Sequence, residues 1–138
     1  DIGNANPAGL MLATSCFQAV HALGMPEARI PLAQATTYLA CSEKSNRSYQ
    51  AINDAIEEVK KSGGLEIPLA VRNAHTSMMK SWGYGKGYDS PHDHEGGWVQ
   101  AQFLPEKIKG KRFYVPTARG SEKKFQEFLS LRRDKSST

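Results

Sequence analysis

The chain has 138 residues, of which 39% are hydrophobic and 23% are charged, and its net charge is +4. A chain of this length is expected to form one domain that removes roughly two-thirds of its unfolded surface from water, and the balanced composition fits a soluble globular protein. The longest charge-free stretch is too polar for a membrane span, and no basic secretory signal precedes it.

The first predicted helix carries no charge, because residues 2–26 contain no Asp, Glu, Lys or Arg. A helix over residues 7–23, with Asn6 as its N-cap and Gly24 as its left-handed stop, would be apolar over roughly two-thirds of its circumference. Such a helix must be packed on several sides, either by the same chain or by another subunit. The candidate interface residues are Leu10, Leu12, Phe17 and Val20.

Two more helices are predicted in the first half. The second covers residues 31–41, and its small side chains would let another helix approach closely. The third is capped by Ser45 or Asn46 and ends at Ser62-Gly63-Gly64. It is a conventional amphipathic helix, unlike the first, and its apolar stripe recurs at spacings of 3, 4 and 3: Tyr49, Ile52, Ile56 and Val59.

The second half of the chain has a different texture, since glycine and aromatic residues separate short elements. In order, we predict an extended stretch over 65–71, a short helix over 76–82, an irregular region, a strand or extended edge over 111–116, a helix over 121–133 and a frayed tail over 134–138. The short helix is expected to bury Met78, Met79 or Trp82, and the last helix Phe125, Phe128 and Leu129. The predicted fold is mainly α, a single domain with a helical bundle at 1–64, a loop-rich part at 65–120 and a C-terminal helix.

Charge and cysteine usage differ along the chain. Residues 1–70 carry a net charge of −2, whereas residues 71–138 carry +6. Such an asymmetry can indicate contact with nucleic acid, although it more often marks a solvated face. Cys16 and Cys41 both fall in apolar helical settings, which predicts buried free thiols and a reducing cytoplasm.

Motifs for catalysis are missing from the sequence. The closest match to a phosphate-binding loop, residues 83–87, lacks the GxxxxGK[ST] spacing, and no nucleophile elbow of the G-x-S-x-G type occurs. His92 and His94 alternate, so they could share one metal ion, but no second ligand cluster exists and a polar loop is the simpler interpretation. We therefore predict no catalytic, cofactor-binding or metal-binding residue in this chain.

A basic segment in the second half is a candidate DNA contact. It consists of Lys107, Lys109, Lys111 and Arg112. Phosphate contacts need accessible cations, and the adjoining Phe113 and Tyr114 offer surfaces on which bases stack. The more ordinary role for these two aromatic residues is core packing.

Five sequence pieces in register resemble one protein family. They are DIGNANP at 1–7, QAVHALGMPEARIPLAQA at 18–35, YLACSEKSN at 38–46, IPLAVRNAHTSMMKSWGYGKGY at 67–88 and HDHEGGWVQAQFLPEKIKGKRFYVPT at 92–117. Together they resemble the C-terminal region of the replication-associated recombination protein A (RarA/MgsA) family of AAA+ ATPases, which is related to Werner-helicase-interacting protein. Because the chain begins with Asp, we expect it to be part of such a longer protein.

The resemblance implies a helical domain similar to the collar of clamp-loader ATPases, which holds copies of the ATPase together as a homotetramer. It also implies a cytoplasmic parent at the nucleoid, with its ATP and Mg²⁺ site upstream, that contacts DNA and replication proteins such as single-stranded DNA-binding protein, and no membrane. The alternative is a module that docks DNA or a partner protein through the basic second half. A docking module would stay monomeric, whereas an oligomerisation module would self-associate without a ligand.

Overall fold

The structure is a computed structural model that describes residues 2–72 and 76–133. Over these residues it is mainly α-helical and has no β-strand, which confirms the predicted mainly α class. The α-helices of the described ranges are α1 (Ala8–Leu23), α2 (Arg29–Ala40), α3 (Arg47–Ser62), α4 (Ser77–Ser81) and α5 (Glu122–Arg133). None of the helices in these ranges is both long and apolar enough to cross a membrane.

The chain forms two compact units. The first comprises Asp1–Ile56 and Phe113–Thr138, and the second comprises Glu57–Arg112. The single domain with divisions near residues 64 and 120 stays a prediction. The frayed tail that we predicted for residues 134–138 lies outside the described part of the chain.

The core of the first unit lies between α1 and α2, which pack against each other. Small residues make the close approach possible: a Cβ placed on Gly9 would lie 3.2 Å from the Leu39 side chain. Ala35 is buried on α2, and the Cys16 thiol donates a hydrogen bond to the Pro31 carbonyl at 3.4 Å. The predicted close approach of another helix to the second one is thus present at Ala35, and the small residue opposite is Gly9 of α1.

The start of α1 differs from the prediction. The helix begins at Ala8 and has no side-chain cap, because the Asn6 side chain bonds elsewhere. Its Nδ2 donates to the Tyr38 hydroxyl at 3.1 Å and to the Ser42 hydroxyl at 3.0 Å. Asn6 thus ties the N-terminal segment to the end of α2. The predicted stop at Gly24 is confirmed by a positive φ of 69°.

Side-chain hydroxyls accept backbone hydrogen bonds at two other helix starts, of which only the cap of α3 was predicted. The Ser45 hydroxyl accepts a hydrogen bond from the Arg47 backbone N–H at 3.2 Å, which confirms Ser45 as the cap of α3. The Thr76 hydroxyl accepts one from the Met79 N–H at 3.1 Å at the start of α4.

Several residues that we expected to be buried are exposed. Cys41 follows the last residue of α2 and faces solvent, whereas Cys16 lies against α2 and is buried as predicted. On α5, Phe125 and Phe128 are exposed and only Leu129 is half-buried; on α4, Met79 is half-buried while Met78 and the adjoining Trp82 are exposed. The prediction of burial was wrong at Cys41, Phe125 and Phe128, because other elements of the chain do not cover these side chains. For α4 the prediction named three alternatives, of which Met79 is the half-buried one.

The two segments predicted to be extended have no regular strand. Residues 65–68 are irregular, and Leu69–Val71 forms a single 3₁₀ turn after Pro68. Residues 111–116 likewise form no β-strand, so of the two predicted alternatives, a strand or an extended edge, the strand is wrong. Its side chains form hydrogen bonds individually, as the next section describes for Tyr114.

Candidate functional site

The uncharged helix α1 exposes large apolar side chains. Leu10 is 77% exposed and Phe17 is 75% exposed. Their spacing of seven residues, about two helical turns, places both on the same side of the helix. The other two interface candidates, Leu12 and Val20, are half-buried. Burial on α1 is complete only at Gly9 and Cys16, which face α2. The chain therefore covers one side of α1 and leaves an apolar side open.

Helix α3 also exposes its apolar stripe, where a conventional amphipathic helix would bury it. The residues of this stripe and their exposed fractions are Tyr49 (68%), Ile52 (56%), Ile56 (45%) and Val59 (65%). No residue of α3 is fully buried. A contiguous row of exposed apolar side chains on a soluble protein marks an interaction surface. The α3 stripe is therefore a second candidate interface, in addition to the exposed side of α1.

A buried carboxylate accepts several hydrogen bonds within the first unit. Glu122, the first residue of α5, is 0% exposed. Its Oε2 accepts hydrogen bonds from the Ser45 hydroxyl at 2.8 Å and from both the N–H (2.9 Å) and the hydroxyl (2.7 Å) of Thr117. Its Oε1 accepts from the Tyr114 hydroxyl at 2.8 Å, which in turn accepts from Asn4 Nδ2 at 3.1 Å. Three parts of the sequence therefore meet in this cluster: the N-terminal segment at Asn4, the start of α3 at Ser45, and residues 114–122.

The pKa of the Glu122 carboxyl lies below its ordinary value. Burial alone would raise this pKa, but the hydrogen bonds from Thr117, Tyr114 and Ser45 all stabilise the carboxylate and outweigh it. The pKa of Tyr114 is raised, because burial and the neighbouring Glu122 charge both disfavour the phenolate, and the Asn4 bond offsets only part of this. The pair is thus a carboxylate and a neutral phenol at neutral pH.

Sequence reasoning missed this cluster. It identified Ser45 only as a cap and Tyr114 only as a stacking or packing side chain, and it gave Glu122 no role. The available signal was an acidic residue in the first turn of the last helix, where the helix dipole favours it. That signal does not reveal which donors would surround the carboxylate.

The basic segment is partly neutralised within the second unit. Lys109 pairs with Glu106 at 3.4 Å, and Lys111 pairs with Glu58 of α3. Lys107 and Arg112 are exposed and form no ion pair with an acidic side chain of the described ranges. The structure leaves two of the four predicted DNA-contact cations available.

The glycine-rich loop at residues 83–87 does not fit a nucleotide phosphate. A phosphate-binding loop presents free backbone N–H groups, whereas four of the five N–H groups at residues 83–87 already donate to carbonyl oxygens. Gly83 N–H bonds to Lys80 at 3.0 Å, Gly85 N–H to Leu69 at 2.8 Å and Lys86 N–H to Gly83 at 3.1 Å. These bonds form a series of turns, a geometry that does not favour a phosphate.

The histidine-rich loop also has an internal pairing. His94 Nε2 lies 2.6 Å from Asp89 Oδ1, and both side chains are substantially exposed. Groups of three or more His, Cys, Asp or Glu side chains with metal-binding geometry do not occur among the residues that the structure describes. The geometry fits the interpretation of a polar loop, in which His92 is a separate exposed side chain.

The widest cavity described for the second unit is about 940 Å³ and open to solvent. Leu65, Ile67 and Pro68 form part of its wall beside Lys107. Arg72 is held at this wall by its own contacts, since its Nε donates to the Ile67 carbonyl at 2.7 Å and its guanidinium lies 5.3 Å from the Tyr84 ring centroid. The wall of this cavity therefore combines apolar side chains with the fixed guanidinium of Arg72.

Comparison with known proteins relates the whole arrangement to one family. The family model described as "MgsA AAA+ ATPase C terminal" matches residues 1–133. Replication-associated recombination protein A of Coxiella burnetii is 46% identical over 134 residues, which cover 96% of this chain and 30% of that protein. The protein of the same name from Escherichia coli K12 is 35% identical over 131 residues, covering 94% of this chain and 29% of its own length.

A eukaryotic relative matches as well. The ATPase WRNIP1 of Dictyostelium discoideum is 40% identical over 115 residues, which cover 83% of this chain and 13% of that protein. The chain spans about three tenths of the length of the two bacterial relatives.

Proposed function

The chain belongs to the MgsA AAA+ ATPase C-terminal family, and from this premise we propose that it is a non-catalytic module through which copies of a longer ATPase assemble into a homotetramer. The parent acts in replication-associated recombination, as the names of its bacterial relatives state for them. The family supplies the context of the module, and the surface of the chain supplies the argument for assembly.

The observation that carries this proposal is the open side of α1. The open side of α1 exposes Leu10 and Phe17 and carries no Asp, Glu, Lys or Arg, so burial of its apolar area against another surface is favourable. A second protein surface would remove these side chains from water. A nucleic acid would not, because α1 has no cation to contact phosphate.

The energetics favour an interface larger than α1 alone. Burying four apolar side chains of this kind contributes roughly 6–12 kcal/mol, whereas association costs roughly 4–15 kcal/mol. Leu12 and Val20 are already half-buried within the chain, so the free energy that α1 contributes to association lies towards the low end of that range. A stable assembly therefore needs further apolar surface from the same chain.

The remaining functions belong to the whole parent protein. We propose that its ATP and Mg²⁺ site lies upstream of this chain, since the chain matches the C-terminal family of an AAA+ ATPase and spans about three tenths of the length of its bacterial relatives. The parent would act as a DNA-dependent ATPase at stalled forks in the cytoplasm, associated with the nucleoid, and contact replication proteins such as single-stranded DNA-binding protein. The family supports the ATPase part of this proposal, and the names of the relatives support its connection with replication-associated recombination.

We expect the purified chain to be a tetramer of about 61 kDa, four times the 15.2 kDa of one copy. Phe17→Asp places a charge on the open side of α1 and should lower this mass, because a buried unpaired carboxylate opposes association. Light scattering coupled to size exclusion, at several protein concentrations, measures both masses.

Ser15→Asp is the matched control for that experiment. It adds the same charge to the same helix at an exposed position about 160° away from Phe17 around the axis, so the tetramer should persist. A wild-type chain that stays monomeric at high concentration would contradict the assembly proposal and favour docking.

A second candidate function is DNA docking, favoured by the two unpaired cations Lys107 and Arg112. If they contact phosphates, Lys107→Glu with Arg112→Glu in the longer protein should weaken binding of an oligonucleotide and reduce the salt slope by about two. Fluorescence anisotropy over a salt series measures both quantities. Lys123→Glu with Lys124→Glu on α5 makes the same charge change elsewhere; equal losses from the two variants would leave only a general charge effect.

A further inference from the structure

The exposed stripe of α3 has the spacing of a helix–helix seam. Its four residues occupy the two apolar positions of two successive heptads, so they form one straight row along the helix. Tyr49 begins the row and Val59 ends it, ten residues later. The fold of this chain leaves all four side chains open. A partner helix is therefore the kind of surface that matches the row.

The positions that flank the stripe carry little charge. Among them, Ser48, Asn53, Ala55 and Ser62 are uncharged and Lys60 is the single ion. The charged residues of α3 point away from the stripe, at Arg47, Asp54, Glu57, Glu58 and Lys61. A nucleic acid would need a row of cations here, and a charged partner would need complementary flanks. An uncharged flank suits another uncharged flank, and a second copy of α3 provides one.

The stripe is also complementary to itself when the second helix runs in the opposite direction. Tyr49 and Val59 lie five residues on either side of Asp54, and Ile52 and Ile56 lie two residues on either side. Reversal about Asp54 thus sets Tyr49 against Val59 of the second copy, and Ile52 against its Ile56. Each layer combines side chains of compatible size, and the two helix dipoles oppose each other favourably. A parallel pair would instead set Tyr49 on Tyr49 and align the dipoles.

From this geometry we propose that α3 packs antiparallel against α3 of a second copy, about a two-fold axis that passes beside residue 54. The inference rests on the proposed assembly function and names a second interface within it. A four-residue stripe is smaller than the roughly 800 Å² that each partner buries in a stable complex. A tetramer of dihedral symmetry uses two different two-fold interfaces, which the open side of α1 and the α3 stripe would supply.

Ile56→Asp tests the interface by mass. Ile56 is partly exposed within the chain, so the variant should keep its helical circular dichroism while an unpaired charge disrupts the α3 pair. We expect its mass by light scattering to fall to about half that of the wild-type tetramer. Lys61→Gln changes the net charge by the same one unit on the outward side of α3 and should remain tetrameric.

The outcomes separate the inference from the proposal on which it rests. A tetrameric Ile56→Asp variant would overturn the α3 pairing and leave assembly through α1 intact. A monomeric wild-type chain would overturn both. A fall in mass for Lys61→Gln as large as that for Ile56→Asp would also count against the pairing, because Lys61 lies outside it.

Chemical cross-linking tests the direction of the pair. In an antiparallel pair the two copies of Asn53 lie on the same flank of the seam, about one turn or less apart along the axis, whereas in a parallel pair they lie on opposite flanks. In a Cys41→Ser background, Asn53→Cys should therefore form a covalent dimer with a short bismaleimide, and Asp54→Cys should not. Absence of the Asn53→Cys dimer, or cross-linking of Asp54→Cys in preference to Asn53→Cys, would overturn the antiparallel arrangement.

Discussion

Replacing Glu122 with alanine should lower the free energy of unfolding by about 3–5 kcal/mol, a large part of the stability of a small domain. The change removes the acceptor for the hydroxyl groups of Ser45, Thr117 and Tyr114 and for the Thr117 N–H. These donors lie in a site from which water is excluded around the carboxylate, so each loses a charge-assisted bond without a replacement. The effect is expected at neutral pH, where the carboxyl is ionised.

Urea unfolding followed by circular dichroism at pH 7 measures this loss. Glu127→Ala is the matched control, because Glu127 is exposed on the same helix and should change stability by less than about 0.5 kcal/mol. If Glu122→Ala unfolded at the same urea concentration as Glu127→Ala, the hydrogen-bonded cluster would not contribute to the stability of the fold.

The lowered pKa of Glu122 also predicts how the free energy of unfolding depends on pH under acidic conditions. The pKa of Glu122 is lower in the folded chain than its ordinary 4.5, so between the two values the unfolded chain binds more protons. Stability from this group is therefore present above about pH 4.5 and lost as pH falls through the folded pKa. Glu122→Gln does not titrate, and its stability should depend less on pH in that range.

The helices of this chain were predictable because their signals are local. The stripe of α3, the cap at Ser45 and the stop at Gly24 all depend on residues within a few positions of one another. Periodicity fixes where a helix forms and which side is apolar. It does not fix what covers that side, which is why the same pattern on α3 gave no indication that Tyr49 and Ile52 would be exposed.

The prediction that Cys41 and Phe128 are buried was wrong for a related reason. An apolar residue in a helix is buried only if another element approaches it, and the number of elements available depends on the fold of the whole chain. Within the first unit, the first residue of α5, Glu122, is buried by its hydrogen bonds, whereas the Phe128 side chain about two turns later is exposed. Sequence periodicity carries no information about that distance.

The carboxylate cluster was unpredictable because its parts are far apart in sequence. Ser45 lies 77 residues from Glu122, and Asn4 lies 110 residues from the Tyr114 hydroxyl that joins them. A single polar residue of each type has many possible partners. By contrast, the candidate α1 surface could be proposed from the sequence, since the absence of charge over residues 2–26 is visible without any contact.

Gly120→Ala should lower the free energy of unfolding by about 2–5 kcal/mol, through strain and overlap together. Gly120 has a φ of +48°, and a Cβ on it would lie 2.1 Å from the Ala5 carbonyl oxygen. That oxygen is backbone, and it accepts a hydrogen bond from the Ser121 N–H at 2.8 Å. The N-terminal segment would have to move away from the start of α5, which would also disturb the Glu122 cluster beside it.

Gly24→Ala separates the two causes, because Gly24 has a φ of +69° in the same unit but no atom within 4 Å of a built Cβ. The free energy of unfolding of Gly24→Ala should fall only by the cost of backbone strain at a positive φ, about 1–3 kcal/mol. Urea midpoints of the two variants, measured side by side, give the difference. A Gly120→Ala variant no less stable than Gly24→Ala would mean that the N-terminal segment yields without cost, and that its contact with α5 is not a fixed part of the fold.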